Sequence, residues 1–147
     1  MQSYAKLLLA ACVLMWPFSV VCAGCCIAGT YEGIHVDGRA CTRPKTESFT
    51  MVIYQPKCVT AIKGKFTEPD GGSYQMNGRV LASDGNCVIK GQLSNDPKSL
   101  PGEVITYMGT LTMTRLARKW EVADGTYTTN TGCRGTFRMV RQELLHL

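Results

Sequence analysis

Ile62-Lys63-Gly64-Lys65-Phe66-Thr67-Glu68-Pro69-Asp70-Gly71-Gly72-Ser73-Tyr74-Gln75-Met76-Asn77-Gly78-Arg79-Val80 decides how this chain folds. Two copies of one pattern lie in it, apolar–any–Gly–any–apolar: Ile62 to Phe66 and Met76 to Val80. Pro69-Asp70-Gly71-Gly72 between them has the chemistry of a turn. Residues two apart on a strand share a face. Each copy therefore sets its glycine beside two large side chains, with Lys63, Lys65 and Arg79 on the opposite face. The reading is a β-hairpin, apolar inside and basic outside.

The pattern recurs at Tyr31-Glu32-Gly33-Ile34-His35, Ile89-Lys90-Gly91-Gln92-Leu93 and Tyr107-Met108-Gly109-Thr110-Leu111. It returns at Ala123-Asp124-Gly125-Thr126-Tyr127 and Cys133-Arg134-Gly135-Thr136-Phe137. The intervals between the glycines are too uneven for a solenoid repeat and fit strands joined by loops of different length. Alternation and turn residues predict strands over 29–36, 48–55, 58–67, 73–82, 86–93, 103–113, 119–128 and 133–141. Such strands on short connections imply an all-β fold, an eight-stranded antiparallel up-and-down barrel whose last strand pairs with its first and leaves no edge. The expected inward set is Ile62, Phe66, Tyr74, Met76, Val80, Ile89, Leu93, Ile105, Tyr107, Leu111, Phe137 and Met139. Inward glycines let a small sheet coil tightly, or they leave a cavity.

Residues 1–24 read as a secretory signal peptide. Lys6 precedes the apolar run Leu7-Leu8-Leu9-Ala10-Ala11-Cys12-Val13-Leu14-Met15-Trp16, and small residues follow at Ala23 and Gly24. The run is short and interrupted by Pro17, a poor membrane span. Cys22-Ala23-Gly24-Cys25 resembles a bacterial lipobox, with Cys22 where a branched apolar residue is usual; it implies lipidation of Cys25 and attachment to a membrane. The expectation is an exported protein of the bacterial envelope, in the periplasm or on the outer membrane, or else secreted. Residues 25–147 then form one domain, long enough for its own core.

The chain carries 16 Lys and Arg against 11 Asp and Glu. This mild excess suits an acidic partner but not a nucleic-acid binder, which concentrates basic residues in dense tracts. Phosphate loops, His-Glu-x-x-His and Gly-x-Ser-x-Gly are absent from the sequence. His35, with Asp37 two residues on, is the lone candidate general base, and no nucleophile stands beside it in sequence. A histidine with a local partner is the reading favoured over an enzyme. Asp70, Asp84, Asp96 and Asp124 fall in turns, where Asp bonds its own backbone. No cofactor and no metal site is expected; the Cys22, Cys25, Cys26 cluster straddles the cleavage point.

Up-and-down order tests the cysteines. Placing the chain's start at the bottom puts Cys41 and Cys133 on the top rim, on strands that meet at closure. Cys58 and Cys87 fall on the bottom rim. Disulfides Cys41–Cys133 and Cys58–Cys87 are expected, one choice among the fifteen that six cysteines allow.

Two basic surfaces are candidate partner sites. One is the top rim, with Arg39, Arg43, Lys45 and Arg134 held by the expected bridge on a loop of a rigid scaffold. The other is the outer wall of Lys63, Lys65, Arg79 and Lys90. The leading functional reading is a non-enzymatic module that binds an acidic protein partner, such as an inhibitor or immunity factor. The alternative is a carrier that holds a small apolar ligand among Tyr74, Met76, Tyr107, Trp120 and Phe137.

Gly29-Thr30-Tyr31 at the start and Gly135-Thr136-Phe137 at the close resemble small calycin-type barrels, of which lipocalins and avidins are the best-known members. The likeness spans residues 29–141 and is one of architecture. Tyr31 stands where the lipocalin motif has Trp, and the biotin-stacking tryptophans of avidins are missing. The resemblance implies a barrel that accommodates a ligand and does not imply biotin. Some families of exported lysozyme inhibitors and envelope immunity proteins are also eight-stranded.

Overall fold

The computed structural model describes residues 25–38, 40–42, 44–95, 104–114 and 119–143, and among these all side chains but those of 95, 110–114, 119 and 123. The expected signal peptide, Arg39 and Arg43 lie outside the described residues. The strands are β1 (Gly29–Asp37), β2 (Thr46–Tyr54), β3 (Ala61–Thr67), β4 (Ser73–Ser83), β5 (Asn86–Asn95), β6 (Val104–Thr114), β7 (Lys119–Thr129) and β8 (Arg134–Arg141). They form a closed barrel in chain order, every neighbour antiparallel. Closure runs from Tyr31 opposite Arg141 to Asp37 opposite Gly135. β3 starts later than the expected residue 58. Pro56–Cys58 forms a 3-10 turn, and Lys57 and Cys58 sit at φ of 52° and 54°, which interrupts the extended chain.

The inward set of the alternation is the core. Ile62, Phe66, Met76, Val80, Ile89, Leu93, Tyr107, Phe137 and Met139 are buried, and Tyr74 and Ile105 pack against them. Leu111 has no described side chain. Tyr31, Phe49, Met51 and Ile53 extend the set along β1 and β2, and Val122 extends it on β7. Each fully buried side chain of this size contributes about 1.5–3 kcal/mol.

Glycines of the repeated pattern face inward among these residues, and at Gly33, Gly78, Gly91, Gly109, Gly125 and Gly135 rings occupy the room they leave. A Cβ on Gly33 would lie 2.4 Å from the Phe49 ring, and one on Gly125 would lie 2.3 Å from that of Phe137. On Gly78 and Gly91 it would meet the Tyr107 hydroxyl at 2.6 and 2.7 Å. Gly78 and Gly91 are direct cross-strand partners, so Tyr107 lies over a pair of them. The glycines serve tight packing of aromatics, a device that also supports sheet curvature.

At the bottom, residues 25–28 turn under the barrel. Ile27 is fully buried; its N–H donates to Gln55 Oε1 at 2.7 Å, and its carbonyl accepts from the Tyr31 hydroxyl at 2.7 Å. Gln55 Nε2 donates to the carbonyls of Cys25 and Val59, both at 2.7 Å. Cys25 pairs with Cys87, Cys26 with Cys58, and Cys41 with Cys133. The top-rim pair is the expected one. The expected Cys58–Cys87 bridge is corrected: both cysteines are on the bottom rim, but the entering chain delivers Cys25 and Cys26 there as well, and each takes one. The lipidation expected at Cys25 is corrected with it, because a sulfur bonded to Cys87 has no valence left for a lipid thioether.

Candidate functional site

With the bottom closed by Ile27, the top end of the barrel is where a cavity opens. It has a volume of about 250 Å³. Its walls are Phe49, Met51, Phe66, Tyr74, Leu93, Ile105, Tyr107 and Phe137, and its rim carries His35, Asp37, Lys45, Glu47, Glu68 and Tyr127. Phe49 and Phe66 stack at 4.7 Å, Tyr74 meets Phe66 edge-on at 5.7 Å, and Phe137 meets Phe49 at 6.5 Å. Such rings bury large area at fixed geometry and suit a flat apolar guest.

His35 is the centre of the rim. Alternation on β1 turns it inward, and its register partner on β2 is Glu47. Its Nδ1 lies 3.5 Å from Asp37 Oδ1. Its Nε2 lies 3.5 Å from Glu68 Oε1 and 3.9 Å from Glu47 Oε2. At these lengths the contacts are ion pairs rather than well-formed hydrogen bonds, and the Nε2 atom, out of reach of solvent, has no hydrogen-bond partner of good geometry. The imidazole is 13% exposed. Its pKa is raised above the ordinary 6.5, first through the approach of Glu68; burial opposes this, and the charges of Asp37, Glu68 and Glu47 add to it.

Asp37 is held from three sides. Its Oδ1 accepts a short bond from the Tyr127 hydroxyl, its Oδ2 accepts from the Lys45 N–H at 3.1 Å, and its own N–H donates to the Lys45 carbonyl at 2.9 Å. Burial, then the Asp37 bond, pushes the Tyr127 phenol well above its usual range. Lys45 Nζ pairs with Glu47 Oε1 at 3.4 Å on the solvent side. Lower in the cavity, the Tyr107 hydroxyl is buried without a hydrogen-bond partner, and burial raises its pKa as well.

His35 sits among local carboxylates, with the expected neighbour Asp37 among them. Of the ligand set drawn from the sequence, Tyr74, Tyr107 and Phe137 line the cavity. Met76 is buried core and Trp120 packs beside the core, and neither lines the cavity. Trp120 stands near the bottom end of β7, a strand's length from the mouth. Among the described residues, the rim that borders the cavity is acidic, and two members of the expected basic rim, Arg39 and Arg43, lie outside them. Lys45 contributes, Arg134 is exposed outside, and the unforeseen carboxylates Glu47 and Glu68 face His35. They come from β2 and the turn after β3, and the register of β1, β2 and β3 brings them to His35. On the outer wall Lys63, Lys65, Arg79 and Lys90 are exposed; Arg79 faces Lys90 in register, and none of the four joins an ion pair among the described residues.

His35, Glu47 and Glu68 bring three metal-type donor atoms within 4.8 Å of one another, and Asp37, Cys41 and Cys133 do the same. The second group has no thiolate to offer, because its cysteines are bonded to each other. No helix among the described residues is long and apolar enough to cross a membrane.

No family model matches the chain, and no curated protein matches it. A solved structure described as "EF1p2_mFAP2b bound to DFHBI" is similar, with a TM-score of 0.52 and 15% identity, covering 80% of this chain and 94% of that one. The likeness is one of fold.

Proposed function

We propose that the chain is a non-enzymatic carrier that holds one small ligand in the mouth cavity, a lipocalin-like use of the barrel. The observation that carries this reading is the cavity itself, about 250 Å³ with aromatic and aliphatic walls and polar groups gathered at its rim. Its size is just under the range typical of drug-sized sites, so the guest is small, about one or two rings. The similar barrel is bound to DFHBI, which supports the capacity of this architecture to take a small molecule. The carboxylate partners of His35 support binding over catalysis, since the imidazole faces no nucleophile among the described rim residues. Three disulfides favour an oxidising compartment and so export to the periplasm, the outer membrane or the medium.

Solvent extraction of protein purified from its native source, followed by mass spectrometry, is the direct test. A stoichiometric small molecule is expected. The cavity-filling variant Leu93→Trp should lose it while keeping its far-UV circular dichroism and its cooperative unfolding. Protein with nothing extractable, and no thermal shift with any member of a panel of small aromatic compounds, would sink the reading.

A second reading rests on the unpaired basic wall: docking to an acidic protein partner. Replacing Lys63, Lys65, Arg79 and Lys90 with Gln should then abolish a salt-sensitive pull-down. Undiminished capture would reject that role.

A further inference from the structure

We infer, on the carrier reading above, that the ligand is a small organic cation: an aromatic body bearing a primary ammonium, with its ring against the aromatic wall of the cavity and its ammonium near Glu47 and Glu68. Among the described residues, the charges that border the cavity are three carboxylates, Asp37, Glu47 and Glu68, against His35 and Lys45. With both bases charged, one negative charge is left over. Lys45 is also the most solvent-exposed of the group, its side chain 52% exposed, so water weakens its share.

The three acids are not equivalent. Both oxygens of Asp37 accept hydrogen bonds, from Tyr127 and from the Lys45 backbone. Glu47 and Glu68 meet their cationic neighbours only at 3.4 to 3.9 Å. An ammonium has three donors and no acceptor, and it can bridge two carboxylates by charge-assisted bonds. Directly below lie the stacked rings of Phe49 and Phe66. Ring faces attract a cation and accept a flat hydrocarbon body alike. Among the described residues Lys45 is the one lysine or arginine at the cavity, and it sits on the solvent side paired with Glu47, so an anionic guest would meet excess negative charge. One layer down, the unpartnered Tyr107 hydroxyl favours a guest that carries a polar atom at the end away from its ammonium.

Three phenols that share a para two-carbon chain, ending in an ammonium, a hydrogen or a carboxylate, vary the charge: tyramine, 4-ethylphenol and 3-(4-hydroxyphenyl)propionate. Each is titrated by calorimetry into the oxidised full chain at neutral pH. Tyramine should bind at least about tenfold more tightly than 4-ethylphenol, with the anion weakest. Added salt should weaken tyramine alone. Glu47→Gln with Glu68→Gln should cost tyramine about tenfold and leave 4-ethylphenol unchanged; Glu68→Gln alone serves if the pair does not fold. Tyr107→Phe should erase any preference for tyramine over phenethylamine. Equal binding of tyramine and 4-ethylphenol overturns the cationic ligand and leaves the carrier standing. The cationic ligand is overturned in the same way if the anion binds best, or if the glutamine variants keep full tyramine affinity. If none of the three binds and solvent extraction yields nothing, both readings fall together.

Discussion

At the scale of the residue, His35 links the mouth's chemistry to the protein's stability. Its pKa is raised in the folded state, above an unfolded value near 6.5. The folded chain therefore holds the proton more tightly than the unfolded chain. The resulting stabilisation is complete below the unfolded pKa and is lost as pH rises through the folded one. Urea unfolding of the native chain and of His35→Gln over a pH series should show the native advantage shrinking from about pH 6.5 upward. An advantage that grows with pH would contradict the assigned network of Glu68, Asp37 and Glu47. The inward glycines make a second residue-level claim. A Cβ on Gly125 would press on three atoms of the Phe137 ring at 2.3 to 2.6 Å, and Phe137 is 7% exposed. Gly125→Ala should cost about 1–3 kcal/mol in chemical denaturation, with part of it recovered by adding Phe137→Leu. If the single substitution is neutral, the ring is not held there.

At the scale of the element, β7 departs from simple alternation. Its pairing shifts register against β6 between Met108 and Leu111, and against β8 between Val122 and Gly125. Both shifts place one extra residue on β7, a bulge, between two inward positions three apart. Val122 and Gly125 are both buried for that reason. Period-two reading places Ala123 inward with Gly125 and so passes over Val122, because an inserted residue has no signature in alternation. The bottom segment is the other such case. Placing the chain's start at the bottom already puts four cysteines on one rim, but the lipobox-like setting of Cys25 assigns its sulfur to a lipid instead of a bridge. Peptide mapping under non-reducing conditions should recover Cys25 with Cys87, Cys26 with Cys58 and Cys41 with Cys133. Removing the first bridge as Cys25→Ala with Cys87→Ala should cost about 2–4 kcal/mol. Gln55→Leu should also destabilise, because it strands the Ile27 N–H and leaves two carbonyls without their donor; about 1–3 kcal/mol is expected.

At the scale of the molecule, the eight strands, their order and their closure are legible in the sequence. Each follows from local signals, a period of two and turn residues at its ends. The mouth is not legible in the same way. His35, Glu47 and Glu68 lie on separate elements, and nothing in the spacing of those three letters tells a carboxylate that faces a histidine from one that faces water. The aromatic–glycine pairs are likewise cross-strand facts; the glycines are conspicuous in the sequence, whereas the rings they receive are named only by the register. A saturating guest should raise the melting temperature of the whole barrel, since binding to the folded state alone stabilises it by mass action. No change at high occupancy would mean that the guest binds the unfolded chain as well as the folded barrel.

Both ends of the described chain leave from the floor. Residues 25–28 turn beneath β1, and Gln142 follows β8 there, its N–H bonded to the Thr30 carbonyl at 2.8 Å. A tether at either end therefore pulls from the side opposite the mouth. Grafted by its start or its finish to a bead, a display scaffold or another domain, the barrel would stand with its opening turned outward, the orientation a capture reagent or sensor requires.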